Sequence, residues 1–202
     1  MSQKIDKIIY INLNKRTDRR EQIEKELNDF GLSYERFEAI EVPEFGCLGC
    51  GKSHLQVLKI AKERNYENIL ILEDDFTFLV SKEEFEKQLE GFFNLQMEYD
   101  VCFVSYNLRR YEPLENNIVN KVLEVQTASG YIVHKKYYDT LIELYEYAMP
   151  LLEQTYAHWI YANDQIWKQL QEKGNWFYFI TRIGKQREGY SDNAETFMNY
   201  DC

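Results

Sequence analysis

What this chain has little of narrows it first. Among its 202 residues there are only four cysteines, three prolines and nine glycines. Four thiols with no export signal suit a reducing, cytosol-like compartment rather than a disulfide scaffold, so a cytoplasmic protein is expected. No Pro- or Gly-rich linker, internal repeat or low-complexity tract divides the chain, which favours one domain over 1–202. No apolar run approaches the roughly 18 residues of a membrane-spanning helix. The opening "MSQKIDKIIYINLNKR" is interrupted too soon for a signal peptide. Cations are also scarce: 24 Lys and Arg stand against 34 Asp and Glu, for a net charge of −10. That disfavours nucleic acid as the main partner, because duplex binding rests on neutralising phosphates. Any anionic substrate needs a local cationic patch or a metal working against the overall field.

What is present reads as an α/β domain. Hydrophobic residues make up 45% and charged residues 29%, ordinary proportions for a chain that buries a substantial core. Aromatics are abundant, which suits either a packed core or a cleft lined with rings. "KIIYINL" (Lys7 to Leu13) predicts a strand. Thr17 to Phe30 predicts an amphipathic helix on Ile23, Leu27 and Phe30, with Gly31 as its stop. Tyr34 to Val42 predicts a strand ended by Pro43. Ser53 to Arg64 predicts a helix opened by a Ser53/Gln56 capping box, and Ser81/Glu84 predicts another around Phe85, Leu89 and Phe92. Ile69 to Leu72, Val101 to Val104 and Val122 to Val125 predict strands. "ASGYIVHKKYYDTLIELYEYA" reads as a small-residue turn, a short strand and a long helix. Asn163 is expected to cap a helix through Gln171, and Trp176 to Ile180 to form the last strand.

Two motifs overlap in "GCLGCGKSHLQVL". Gly46 to Ser53 fits G-x-x-x-x-G-K-S, the pattern of a phosphate-cradling loop, and Cys47 with Cys50 makes a C-x-x-C. A working phosphate loop follows a buried strand, whereas "FEAIEVPEF" precedes Gly46 with acids and a proline. An NTPase or kinase is therefore the lesser alternative. The cysteine pair lacks a second Cys or His pair at zinc-ligand spacing, so thiols in a tight turn are expected, with Ser53 capping the helix that follows.

The stronger chemical signal is "ILILEDDF". An apolar strand running into Glu73, Asp74 and Asp75 places carboxylates at a strand's end, where open α/β sheets bind ligands. Strand alternation would point Glu73 and Asp75 one way and Asp74 the other. Such a pair suits a hard divalent cation that shares its coordination with a diphosphate. A solvated strand end is the bland alternative. "YINLNKRTDRR" puts Asn12, Arg16, Asp18 and Arg19 just beyond the first strand, where they could meet base, ribose or phosphate. A well-capped charged helix would look the same.

Taken in order, these segments resemble glycosyltransferase family 25, the lipooligosaccharide galactosyltransferases of bacteria and the related collagen galactosyltransferases. The resemblance lies in "INLNKRTDRR", "GCLGCGKSHLQVLK", "ILILEDDF", "TASGYIVHKKYYDTL", "DQIW" and "REGYSDN", which span most of the chain. It implies a GT-A-like nucleotide-sugar-binding sandwich: a mixed, mostly parallel central sheet flanked by helices. The donor part would cover about 1–105 and the acceptor side about 106–202. It also implies a metal-dependent, inverting transfer of a hexose, galactose or glucose, from a UDP-sugar to a glycan, glycolipid or protein acceptor. Glu73 and Asp75 then match the outer acids of the D-x-D motif and hold Mn²⁺ or Mg²⁺. Asn12, Arg16, Arg19, Ser53, His54, Glu73 and Asp74 fall in the donor site. Asp164 is the candidate base, with Glu188 and Asp192 as rivals. A lone His is otherwise more often structural, and Asp164 could simply serve a helix's first turn. Gly51 and Lys52 replace the family's usual apolar residues, and "SDN" its usual "SDI", which leaves the acceptor site and a third metal ligand open. A catalytically inactive sugar-nucleotide or glycan-binding domain is the non-enzymatic alternative.

Overall fold

The computed structural model describes residues 4–191 and 196–198. Asp192, a rival base, lies outside them. In chain order the elements are β1 (Lys7–Asn12), α1 (Thr17–Asp29), β2 (Tyr34–Glu38), α2 (Gly46–Glu63), β3 (Asn68–Glu73), β4 (Phe76–Phe78) and α3 (Lys82–Asn94). They continue with β5 (Val101–Glu112), β6 (Val119–His134), α4 (Tyr138–Thr155), α5 (His158–Tyr161), α6 (Asn163–Ile166) and α7 (Lys168–Gln171). The last are β7 (Trp176–Phe179), β8 (Gly184–Gln186), β9 (Gly189–Ser191) and β10 (Thr196–Met198).

Six strands form one sheet in the order β2-β1-β3-β6-β5-β7. β1 pairs parallel with β2 and β3, β6 is antiparallel to β3 and β5, and β5 is parallel to β7. Five strands therefore run one way and β6 alone runs back, the mixed, mostly parallel sheet expected from the resemblance. The second half of the chain supplies β6, which sits between β3 and β5, so both halves share one sheet.

Side chains alternate across this sheet, and each face has its own core. Ile9, Ile11, Ile69, Ile71, Phe103 and Tyr131 pack with Leu58 of α2 and Leu141 of α4. Ile8, Tyr10, Leu70, Leu72 and Ile132 pack on the opposite face with Ile23 and Leu27 of α1 and Phe85 and Leu89 of α3. A sheet buried on both sides explains the near-continuous apolar strands "KIIYIN" and "NILILE". The periodic helices form where expected. Gly31 follows α1 with a φ of +62°, a left-handed position that suits glycine. Ser81 caps α3 by accepting from the Glu84 amide.

Four expectations change. The turn expected over Gly46 to Gly51 is the first part of α2, and Ser53 is buried inside that helix rather than capping it. Glycine's low helix propensity is overridden by packing there. A Cβ on Gly49 would lie 2.4 Å from the Ile40 carbonyl oxygen, and one on Gly51 would lie 2.5 Å from Met149 Sδ. The glycines let α2 approach the β2–α2 connection and α4. The Ser53 hydroxyl donates to the Gly49 carbonyl at 2.7 Å and accepts from the Ile40 amide at 2.8 Å, fixing the same approach.

The small residues Ala128, Ser129 and Gly130 do not turn either. They lie within the 16-residue β6, which joins both of the expected short strands. A Gly130 Cβ would meet Val104 at 2.7 Å, so this glycine makes room for a neighbouring strand rather than bending the chain. The helix expected from Asn163 to Gln171 is broken into α6 and α7, and Asn163 is its first residue rather than its cap. β7 is not the last strand, since β8 folds back to pair with β4.

Candidate active site

The acids of "ILILEDDF" sit where β3 ends, at the edge of the sheet that also carries the end of β1. Following the alternation of β3, Glu73 continues the face covered by α2. Asp74 continues the face covered by α1. The strand stops at Glu73, and the chain turns through Asp74 and Asp75 into β4. That turn ends simple alternation, so Asp75 joins Asp74 on a shared partner.

The partner is Arg19, in the first turn of α1. Its Nη1 lies 3.0 Å from Asp74 Oδ1 and 3.1 Å from Asp75 Oδ2. Asp74 also accepts from Asn12 Nδ2 at 2.7 Å. Asn12 in turn accepts from Arg36 Nε of β2 at 3.0 Å, so three neighbouring strand ends are tied into one polar network. Arg16 turns to its own neighbour and grips both oxygens of Asp18, at 3.0 and 2.9 Å. Asn12, Arg19, Asp74 and Asp75 are thus brought together, whereas Arg16 is held beside them.

Asp75 is the unusual member. It is buried, and it accepts through Oδ2 from Arg19 and from Gln186 Nε2 at 2.9 Å. Its Oδ1 is buried without a hydrogen-bond partner. Burial, then the charge of Glu73, push its pKa up to about 7, and Arg19 only partly opposes them. Burial also raises Asp74, against Arg19 and Asn12. One guanidinium therefore answers for two buried carboxyls with a third close by. A buried oxygen lacking a donor, in a cluster rich in negative charge, fits a hard divalent cation that prefers oxygen ligands.

On the other face, Glu73 meets α2. Its Oε1 is 3.0 Å from His54 Nε2 and accepts from Cys50 Sγ at 3.4 Å. Burial would raise its pKa, but these hydrogen bonds, His54 foremost, hold it below the usual carboxylate range. His54 is fully buried, with Nδ1 2.8 Å from the Tyr131 hydroxyl of β6. Ser53 and His54 thus stand inside the protein, behind the acids. Burial, then the charges of Asp164 and Glu73, push the Cys47 thiol up to about 11, while burial raises Cys50 further. Both thiols are free.

Asp164, at the start of α6, reaches the same region. Its Oδ2 accepts from the Thr127 amide at 3.2 Å and its Oδ1 from Gln165 Nε2 at 3.2 Å. Burial, followed by the charge of Glu73, raises its pKa. Thr127 holds that amide with a φ of +78°, a costly backbone for a β-branched residue of the kind that clusters at functional sites. Glu188 is exposed just after Arg187, whose amide donates to the Asp75 carbonyl at 2.6 Å.

Gly46 to Ser53 does not form a phosphate-cradling loop, because the segment is itself the first two turns of α2 and follows a connection from β2 rather than a buried strand. Lys52 points to Glu153 of α4, at 3.2 Å. Sequence reasoning missed Arg36, Cys50 as a partner of Glu73, Tyr131 and Gln186. Each arrives from a separate strand or helix, and no local pattern marks it.

Comparison with known proteins agrees with the fold and with the family resemblance. The profile of Glycosyltransferase family 25 (LPS biosynthesis protein) matches residues 44–167, from the start of α2 through Asp164. A protein of Acanthamoeba polyphaga mimivirus that bears the name glycosyltransferase R655 is 37% identical over 94 residues, covering 36% of this chain and 29% of its own. The chain thus spans less than a third of that relative. Among solved structures, a glycosyltransferase involved in the glycosylation of the major capsid of PBCV-1 superposes with a TM-score of 0.57 at 12% identity, over 94% of this chain and 95% of that one. Mannose-1-phosphate geranyltransferase from Thermus thermophilus gives 0.52 at 10% identity, over 94% and 76%. At such identities these two speak for the fold alone.

Proposed function

Since the chain belongs to glycosyltransferase family 25, we propose that it transfers a hexose from a UDP-sugar to a hydroxyl of a glycan, glycolipid or protein, with inversion. The observation that carries the reading is the partnerless, buried Oδ1 of Asp75, set among three acids at the carboxyl end of β3. Asp75 would hold Mn²⁺ or Mg²⁺, with Glu73 contributing from the neighbouring face. A bound cation would offset charge developing on the departing diphosphate. Arg19 orients both aspartates, and Asn12 with Arg36 fixes the end of β1, where the nucleotide would lie.

Asp164 is the proposed base. It takes the proton of the acceptor hydroxyl as the oxygen bonds to the anomeric carbon and the bond from that carbon to the diphosphate breaks. Its raised pKa brings it towards the range of an effective base, and the Thr127 amide keeps one oxygen oriented. No helix among the described residues is long and apolar enough to cross a membrane.

The test is thermal stabilisation by UDP with Mn²⁺, followed by hydrolysis of UDP-galactose, UDP-glucose and their N-acetyl forms without acceptor. Asp75→Ala should remove the metal-dependent part of the stabilisation; a variant that responds like the wild type refutes the assignment. UDP binding with no hydrolysis or transfer over a broad panel would favour a binding domain instead.

A further inference from the structure

The side of Glu73 turned away from Asp75 carries a second cluster of potential ligands. Cys50 and His54 are one helical turn apart on α2, so both project from one face onto the end of β3. Cys50 Sγ, His54 Nε2 and a Glu73 oxygen all lie within 4.8 Å of one another. We propose that these three residues form a transition-metal site, selective for Zn²⁺ over Mg²⁺ or Mn²⁺, with one coordination position left for water.

The geometry meets the requirements of such a site. With bonds of about 2.3 Å to sulfur and about 2.0 Å to nitrogen or oxygen, tetrahedral ligand edges are roughly 3.3–3.6 Å. The sulfur–oxygen edge is 3.4 Å, the nitrogen–oxygen edge 3.0 Å and the sulfur–nitrogen edge within 4.8 Å, so side-chain adjustments of up to about an ångström admit an ion. A metal-binding imidazole is usually fixed through its other nitrogen, and Tyr131 occupies that place at 2.8 Å. Asn163, only 4% exposed, has its Oδ1 4.0 Å from Cys50 Sγ and its Nδ2 without a partner. That buried donor suits a water on the open position. Glu73 keeps a side-chain exposure of 22%, which gives the ion a way in.

A thiolate and an imidazole are soft and borderline donors, matched to Zn²⁺ rather than to the oxygen-seeking cation suited to Asp75. The ion would clamp α2 to the end of β3 and to α6. Glu73 is shared with the cation proposed for Asp75, but this site is set by Cys50 and His54 and does not require the function proposed above.

Co²⁺ serves as a visible stand-in for Zn²⁺, because a thiolate ligand gives an intense near-ultraviolet charge-transfer band. The full chain, stripped with a chelator, should bind one Co²⁺ with that band, and Zn²⁺ should displace it. Cys50→Ser should abolish the band and weaken Zn²⁺ binding about tenfold or more, and Glu73→Gln should weaken it similarly. Cys47→Ser and Asp75→Asn should leave band and affinity within about twofold. Far-ultraviolet circular dichroism checks that each variant is folded. Absence of the band from the wild type, its persistence in folded Cys50→Ser, or its loss in Cys47→Ser would overturn the proposal. Loss of UDP–Mn²⁺ binding in Asp75→Asn with the Co²⁺ band intact would separate the two sites.

Discussion

Replacing Asp75 by Asn isolates the electrostatic tension at the centre of the site. The carboxyl is buried, one oxygen lacks a partner, and its pKa rises from 3.8 to about 7. The folded protein therefore holds a proton that the unfolded chain releases between those values, and the fold loses stability as the pH rises through that window. Roughly three units at about 1.4 kcal/mol each put the cost of ionised Asp75 on the order of 4 kcal/mol above pH 7. Asn keeps an acceptor for Arg19 and Gln186, supplies an NH₂ in place of the orphaned oxygen, and never ionises. In the metal-free protein at pH 8, Asp75→Asn should thus be more stable by a few kcal/mol, or about 10 °C in Tm for a chain of this size. The gain should shrink as the pH falls below 7 and vanish near 4. Thermal and urea unfolding in chelator at pH 4, 6 and 8 measure it. The same variant should lose stabilisation by UDP with Mn²⁺. A variant no more stable than wild type at pH 8, or a gain independent of pH, would refute the reasoning.

Further expectations concern the supports of the site. Arg19→Met leaves Asp74 and Asp75 without their shared cation and should cost about 3–5 kcal/mol at pH 8. Adding Asp75→Asn should recover part of that loss, which a double-mutant cycle by urea unfolding would read. Gly49→Ala should cost about 2 kcal/mol or more, because its Cβ would meet the Ile40 backbone oxygen. Gly51→Ala should cost less, since the Met149 thioether can swing aside, and the two urea midpoints compare them. Lys52→Ala should shift stability by less than about 1 kcal/mol and leave UDP–Mn²⁺ stabilisation unchanged, because its ion pair with Glu153 is solvent-exposed.

Some features were legible in the sequence because they are local. The apolar run "ILILEDD" fixes a buried strand that ends in acids. The 3.6-residue spacing of Ile23 and Leu27 fixes α1, and Ser81 with Glu84 fixes the start of α3. Helix α2 begins earlier than its sequence suggests for a matching reason. Glycine normally marks a turn, and only the approach of Ile40 and Met149 reveals why glycines occupy a helix there. The 16-residue β6 hid in the same way, because Gly130 lacks a side chain to admit Phe76 and Val104 from other strands.

The sequence by itself determined a two-faced α/β sheet, the carboxylates at the end of β3 and the family to which their order belongs. These follow from periodicity, caps and short motifs, which act over a few neighbouring residues. Tertiary structure alone decided how the carboxylates divide: Asp74 and Asp75 to Arg19, Glu73 to Cys50 and His54. It also decided that the apparent phosphate loop is a helix. Both outcomes depend on partners far along the chain, such as Ile40, Met149, Asn163 and Gln186. Burial and charge act through space, and no spacing within one segment encodes them.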